Sequence, residues 1–181
     1  MNKNKFFSTQ MIVEAGLMLA LAVILAQFKL YKMPQGGSIS LKLLPLMIFA
    51  IRWGAPAGMI VGALFGVISL IIKPEIIHHI QVILDYPLPS ALMGLAGITF
   101  LDNKYEFKGY IPFIVLSYVL RLVVHFLSGI IYFAQYTPEG MSPAYYSFVY
   151  NITYLGPELL IFLVFISLFW KYITSILTKQ I

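Results

Sequence analysis

Long apolar runs alternate with short polar breaks along the chain, and this pattern predicts helices that cross a membrane. A spanning helix needs about 20 predominantly apolar residues. The breaks divide the sequence into six segments: Thr9–Leu30, Ile39–Ile51, Ala55–Ile72, Ile77–Leu101, Tyr110–Tyr136 and Ala144–Ile173. The second segment is short and contains Pro45, which favours a tilted or broken helix. No polar linker separates the segments, so we expect residues 1–181 to form one all-α integral membrane domain with six transmembrane helices.

The amino-acid composition agrees with an integral membrane protein. Hydrophobic residues make up 60% of the chain and charged residues 10%, against about 25% charged residues in soluble domains. The net charge of +5 is carried largely at segment ends, where Lys and Arg set topology, so it does not indicate nucleic-acid binding. The sequence contains no cysteine, no GxxxxGK[ST] loop, no HExxH and no GxSxG. We therefore expect neither an enzyme nor a bound metal or cofactor.

The distribution of Lys and Arg predicts the orientation of the helices. With both termini in the cytoplasm, seven basic residues lie inside and four lie outside or near the outer surface. This orientation places three loops outside: Tyr31–Ser40, Lys73–His79 and Thr137–Pro143.

Three predicted helices carry a polar residue at a similar depth in the outer half of the membrane. These residues are Asp85, His125 and Asn151. Buried polar groups in lipid are costly, so a shared depth indicates a binding site. Aromatic residues cluster on the hairpin between the last two segments: Phe133, Tyr145, Tyr146, Tyr150 and Tyr154. Tyr86 directly follows Asp85 in the fourth segment. A carboxylate among aromatic rings suits a flat cation or a protonated heterocycle. Three alternatives remain: a structural ion pair for Asp85, a core role for His125, and an interfacial role for each tyrosine.

A second pair of charges, Arg121 and Glu158, is predicted closer to the middle of the membrane. Unpaired charges at that depth are expensive, so we expect a structural ion pair between the fifth and sixth helices. A proton relay is the functional alternative.

Small residues recur every four positions on two of the predicted helices. Gly16 and Ala20 would let another helix approach the first segment closely, either a partner protein or a neighbouring helix of the same chain. On the third segment, Gly54, Gly58, Gly62 and Gly66 form a continuous stripe, which favours packing inside the protein.

Four blocks of sequence, in order, resemble one known family. The blocks are MPQGGSISLKLLPLMIFAIRWG (Met33–Gly54), ILDY (Ile83–Tyr86), HFLSGIIYF (His125–Phe133) and YSFVYN (Tyr146–Asn151). Together they resemble the thiamine-specific S-component of energy-coupling factor (ECF) transporters, the ThiT family. The resemblance implies a six-helix S-component fold, a thiamine site near the outer face, and partnership with a transmembrane coupling protein and two ABC ATPases.

The resemblance also assigns individual residues. It implies that Asp85, Tyr86, His125, Tyr146 and Asn151 bind the ligand, and that Gly16 and Ala20 dock the coupling protein. The best-known members carry Trp where this chain has Phe133, and Trp and Glu where it has Gly36 and Ser40. We therefore expect a thiamine-binding subunit of a vitamin importer in a bacterial cell membrane. The alternatives are a subunit for a thiamine precursor such as hydroxymethyl pyrimidine, an intramembrane enzyme using His125 and Asp85, and a ligand-free assembly protein.

Overall fold

The computed structural model describes residues 8–99 and 106–178 and shows an all-helical membrane protein. Its helices are α1 (Thr9–Leu25), α2 (Leu44–Trp53), α3 (Ala55–Ile72), α4 (His79–Asp85), α5 (Pro87–Leu92), α6 (Ile111–Tyr132) and α7 (Pro143–Thr178). Short 3-10 turns occupy Met93–Gly97, Phe107–Gly109 and Ala134–Tyr136. Three stretches are long and apolar enough to cross a membrane: Ala55–Ile72, Phe107–Tyr132 and Pro143–Ser175. The predicted all-α membrane fold is confirmed. Several lysines that set the predicted orientation lie outside the described residues.

The predicted end of the first segment and the predicted start of the second are both wrong, because a β-hairpin lies between the two helices. Helix α1 ends at Leu25, and the chain then forms β1 (Tyr31–Lys32) and β2 (Ser38–Ile39), which pair antiparallel. Gly36 turns the hairpin with a φ of 93°, a conformation that glycine adopts without steric cost. Helix α2 begins only at Leu44, with Pro45 in its first turn. Proline is well tolerated there, since the first N–H groups of a helix lack partners within it.

The fourth predicted segment is not one continuous helix. Helix α4 ends at Asp85, Tyr86 has a non-helical backbone, and α5 begins at Pro87. A residue before proline is pushed away from the helical region, which explains the break. The break also leaves the Tyr86 hydroxyl close to the α3–α4 loop, where it donates to the Lys73 carbonyl (3.0 Å) and accepts from the Glu75 N–H (2.8 Å). The predicted end of this segment, Leu101, lies outside the described residues.

The glycine stripe of α3 packs inside the protein, as predicted for three of its four members. A Cβ atom at Gly58 would collide with Ala50 and Gly94, one at Gly62 with the Ser90 carbonyl, and one at Gly66 with the Tyr86 carbonyl. Helix α3 therefore lies against α2, α5 and the Met93–Gly97 turn at backbone distance. The fourth member, Gly54, differs because it lies between α2 and α3 with a φ of 91°.

Helix α1 packs with one side only. Met11 and Ala22 are buried, whereas Gly16 and Ala20 lie on an exposed side of the helix. Glu14 fastens the helix to the end of α2, because its carboxylate pairs with Arg52 (2.6 Å) and accepts from the Trp53 indole N–H (2.7 Å).

The last two predicted segments also shift at their ends. Helix α6 ends at Tyr132, and a separate 3-10 turn follows at Ala134–Tyr136. Helix α7 extends to Thr178 and contains Pro157 in its interior. Helices α6 and α7 pack together along much of their length and form one wall of a cavity.

Candidate ligand-binding cavity

A cavity of about 250 Å³ opens at the end of the helical body where the hairpin, the α3–α4 loop and the α6–α7 connection meet. Its size is near the lower end of ordinary small-molecule sites, which span roughly 300–1,000 Å³. All eight residues predicted from the sequence to bind a ligand line it: Asp85, Tyr86, His125, Phe133, Tyr146, Tyr150, Asn151 and Tyr154. Parts of two of the three loops predicted to share one face of the membrane, Tyr31–Ser40 and Lys73–His79, also line it.

Asp85 lies at the end of α4 and contacts two neighbours in the cavity wall. Its Oδ1 atom is 3.4 Å from Nδ1 of His125, and its Oδ2 accepts from the Gln81 side-chain amide at 2.7 Å. The other His125 nitrogen, Nε2, has no hydrogen-bond partner among the described groups. The carboxylate is therefore held in a fixed position while keeping lone pairs for a further donor. The Asp85–His125 contact is compatible with both a structural and a ligand-binding role.

The polar groups of α7 are ordered by one another. The Tyr154 hydroxyl donates to Oδ1 of Asn151 (2.8 Å), whose amide nitrogen donates to the Ser147 carbonyl (2.9 Å). The Ser147 hydroxyl in turn donates to the Phe126 carbonyl on α6 (2.9 Å). Gly129 makes this approach possible, because a Cβ there would collide with Ser147. Asn151 is thus presented to the cavity with its orientation set by its neighbours.

Tyrosines of α7 attach the hairpin over the cavity. The Tyr150 hydroxyl accepts from the Gln35 backbone N–H (3.0 Å), and the Tyr146 hydroxyl donates to the Gln35 side-chain oxygen (3.4 Å). The two rings lie 5.9 Å apart, and Tyr150 packs edge-on against Tyr154 at 6.1 Å. With Phe133 they give the cavity aromatic walls.

Several cavity residues were not predicted from the sequence as binding residues. They include Gln35, Lys42, Glu75, Gln81 and Arg121. Gln81 lies four residues before Asp85, a spacing that could have signalled a shared helix face. Glu75 is in a loop, and no helical pattern points to it. A Cβ at Gly36 would come within 2.7 Å of the Glu75 carboxylate, so the bare hairpin turn leaves room for this acid.

Arg121 and Glu158 are both buried, as predicted, but within the described residues they form no ion pair with each other. Instead, Oε1 of Glu158 accepts from the Ser40 N–H at 3.3 Å. The other Glu158 oxygen and two Arg121 nitrogens, Nε and Nη1, have no hydrogen-bond partner among the described groups. The prediction of a direct pair is therefore wrong, because sequence spacing gives depth along each helix and not the distance between side chains.

Lys42 lies in the cavity wall between β2 and α2. Burial, helped by the nearby Arg121 guanidinium, lowers the pKa of the Lys42 ammonium from 10.5 to about 8. Arg121 and Lys42 thus place two positive groups in the cavity wall. In the described part of the chain, no group of three or more His, Cys, Asp or Glu side chains is arranged to hold a metal.

The exposed side of α1 is a separate surface from the cavity. A Cβ atom at Gly16 would meet no heavy atom within 4 Å. Large apolar side chains flank it in the open: Ile12, Val13, Leu17, Leu21 and Ile24. No helix of the described chain therefore covers the face that carries Gly16 and Ala20.

The fold and the cavity define an integral membrane protein with a solute-sized site between its helices. The chain belongs to the family described as thiamine transporter protein, whose model matches residues 12–178. This match confirms the family resemblance, and because the family is one of transporters it also confirms that the chain is not an enzyme.

Individual relatives agree with the family assignment. The chain is 33% identical over 162 residues to the thiamine transporter ThiT of Bacillus subtilis, covering 83% of this chain and 84% of that protein. It is 27% identical over 122 residues to ThiT of Lacticaseibacillus paracasei, covering 60% and 61%. The solved structure of ThiT from Listeria monocytogenes superimposes with a TM-score of 0.79 over 92% of this chain and 96% of that one, at 23% identity. The likeness to that structure shows a shared fold.

Proposed function

We propose that this chain is the thiamine-binding S-component of an ECF-type importer in a bacterial cell membrane. In this proposal it binds thiamine from the outer side and delivers it inward, with both termini in the cytoplasm. The observation that carries the proposal is the position of Asp85, a carboxylate inside a cavity walled by aromatic rings. Membership in a thiamine transporter family supports the choice of ligand.

The chemistry of thiamine matches the cavity wall. Its thiazolium ring carries a permanent positive charge, and its aminopyrimidine ring donates hydrogen bonds. The Asp85 carboxylate can attract the charge and accept a charge-assisted hydrogen bond. Phe133, Tyr146 and Tyr150 provide flat faces for stacking and cation–π contact.

Delivery against a gradient needs an energy source that this chain does not supply by a phosphate-binding loop, since the sequence contains none. We therefore assign the energy to two ABC ATPases acting through a transmembrane coupling protein. The exposed face of α1 with Gly16 and Ala20 suits the docking of that coupling protein, because small residues let helix backbones approach closely in lipid.

The test is a thiamine titration of the detergent-purified protein, followed by intrinsic Trp and Tyr fluorescence, for the unmodified chain and for Asp85→Asn. Hydrogen bonds to charged groups contribute about 1.5–3 kcal/mol, so the substitution should weaken binding roughly 10- to 150-fold. The shape of the side chain hardly changes, so the melting temperature without ligand should stay close to that of the unmodified protein.

Glu139→Gln is the matched control, because it removes an exposed carboxylate that does not line the cavity. Its affinity for thiamine should be unchanged. If Asp85 serves only the fold, Asp85→Asn will instead lower the melting temperature and leave the affinity intact. That outcome would remove the main reason for a cationic ligand.

A further inference from the structure

A second set of charges lies deeper than the proposed thiamine site. Arg121 precedes His125 by four residues on α6, so it lies about 6 Å further along the helix, away from the cavity mouth. Glu158 follows Tyr154 by four residues on α7 and is displaced in the same direction. Lys42 lies in the same wall, two residues after the Ser40 N–H that binds Glu158. We name Lys42, Arg121 and Glu158 the inner charged layer.

Two members of the inner charged layer are shielded from water, and the third, Lys42, is half-buried. Glu158 is 0% exposed and Arg121 is 6% exposed. Arg121 and Glu158 make no ion pair with each other, so neither charge is neutralised by direct contact. Both charges therefore also act on groups further away. Arg121 and Lys42 also line the cavity, so their field reaches a bound solute directly. Electrostatic effects between buried groups are screened far less than those between surface charges.

The shielded charges differ between the inner end of the cavity and the level of Asp85. Lys29, Lys73 and Glu75 also line the cavity, but Lys29 and Lys73 are exposed to solvent and Lys73 is paired with Glu75. The inner layer contains two cationic side chains and one carboxylate, so its balance is positive. One helical turn closer to the mouth, the charged group in contact with His125 is the Asp85 carboxylate. A solute with a positive ring at one end has its lowest energy when that ring lies level with Asp85 and its neutral end points inward.

We propose that the inner charged layer determines the orientation and charge selectivity of the ligand, with Glu158 offsetting the positive charge of Arg121 and Lys42 enough for a cation to bind. This inference rests on the proposed function and extends it. Glu158 acts here through the electrostatic field and not through contact with the ligand, so it is a positioning residue. Arg121 and Lys42 repel a cation from the inner end and leave that end to a neutral, hydrogen-bonding ring such as an aminopyrimidine.

The experiment compares two ligands of the same shape. One is thiamine, and the other is a neutral analogue with a thiophene ring in place of the thiazolium. Dissociation constants for both are measured by calorimetry near pH 7, where Lys42 with a pKa of about 8 is mostly charged. Two unit charges about 10 Å apart, at an effective dielectric constant of about 20, change a dissociation constant roughly 10-fold.

Two substitutions should move the selectivity in opposite directions. Glu158→Gln should weaken thiamine binding roughly 10-fold and change binding of the neutral analogue less than about 2-fold. Lys42→Met should strengthen thiamine binding roughly 3- to 10-fold relative to the neutral analogue. Glu139→Gln is again the matched control, and it should leave both constants unchanged.

A purely structural role for the inner charged layer predicts a different result. Both ligands would then lose affinity together, and their ratio would stay at the value of the unmodified protein in Glu158→Gln and in Lys42→Met. That result overturns the inference while leaving thiamine binding in place. If Glu158→Gln does not fold, the direction of the ratio in Lys42→Met decides alone. Absence of thiamine binding by the unmodified protein would overturn the proposed function, and this inference with it.

Discussion

Helices α1 and α3 carry the same kind of small-residue pattern in opposite surroundings. On α3, a Cβ at Gly58 would collide with Ala50, and one at Gly62 or Gly66 would collide with neighbouring backbone. On α1, a Cβ at Gly16 would meet nothing within 4 Å, and Ala20 is exposed on the same side. The pattern therefore indicates that a helix can be approached closely, but it does not say what approaches. On α3 the chain itself fills the space, and on α1 the space is open for a partner.

The largest expected effect is on α3. Gly62→Leu would drive a branched side chain into the backbone at Ser90 and separate α3 from α5. Overpacking of this kind costs typically about 1–3 kcal/mol for one or two methylene groups and more when backbone is displaced. We expect no monodisperse folded protein in size-exclusion chromatography and no thiamine binding. A folded Gly62→Leu protein with normal affinity would show that α3 is not tightly packed.

The same change on α1 should act on uptake alone. Gly16→Leu adds bulk to an open face, so thiamine affinity and melting temperature should stay within about 2-fold and a few degrees of the unmodified protein. Uptake by cells that also contain the coupling protein and ATPases should be lost, because the side chain blocks close helix approach.

The matched control for Gly16→Leu is Gly156→Leu on α7. The nearest atom to a Cβ there is Ile152 Cδ1 of the same helix, at 4.0 Å. This variant should retain uptake. Equal loss of uptake in both variants would mean that the exposed face of α1 has no special role.

The smallest expected effect is a change in stability that should differ in sign between α1 and α3. Gly16→Ala replaces a helix-interior glycine where there is room, so it should stabilise the protein by up to about 1 kcal/mol. Gly62→Ala gains the same helix propensity but introduces a clash, so it should lower the melting temperature. Thermal unfolding of both variants in one detergent measures the difference. Two changes of equal sign would contradict the opposite environments of α1 and α3.

The candidate site could be predicted from the sequence better than the detailed fold could. Asp85, His125 and Asn151 stand out because lipid makes buried polar groups costly, so their presence in apolar segments carries information. The structure brings all three to one cavity. The boundaries predicted for their helices were wrong, yet the three residues still line the same cavity.

The residues that escaped prediction belong to irregular backbone. Gln35 is in a hairpin whose strands are two residues long, too short for an alternating pattern to show. Glu75 reaches the cavity because Tyr86, at the break between α4 and α5, holds its loop with two hydrogen bonds. That arrangement depends on contacts between distant turns, and neither hydropathy nor spacing encodes them. The direct Arg121–Glu158 pair failed for a related reason, since the directions of two side chains depend on how their helices are rotated.

The length of α7 has a mechanical consequence. Its 36 residues make a rod of about 54 Å, whereas the hydrocarbon core of a bilayer is about 30 Å thick. The helix must therefore lean strongly or project from the lipid at the end opposite the cavity mouth. Pro157 removes one backbone N–H near the middle of the rod, so bending is easiest there. If the helix tilted by about 10° about one end, its other end would move by roughly 9 Å. Bilayer thickness and the position of the cavity mouth are thus coupled through the tilt of α7.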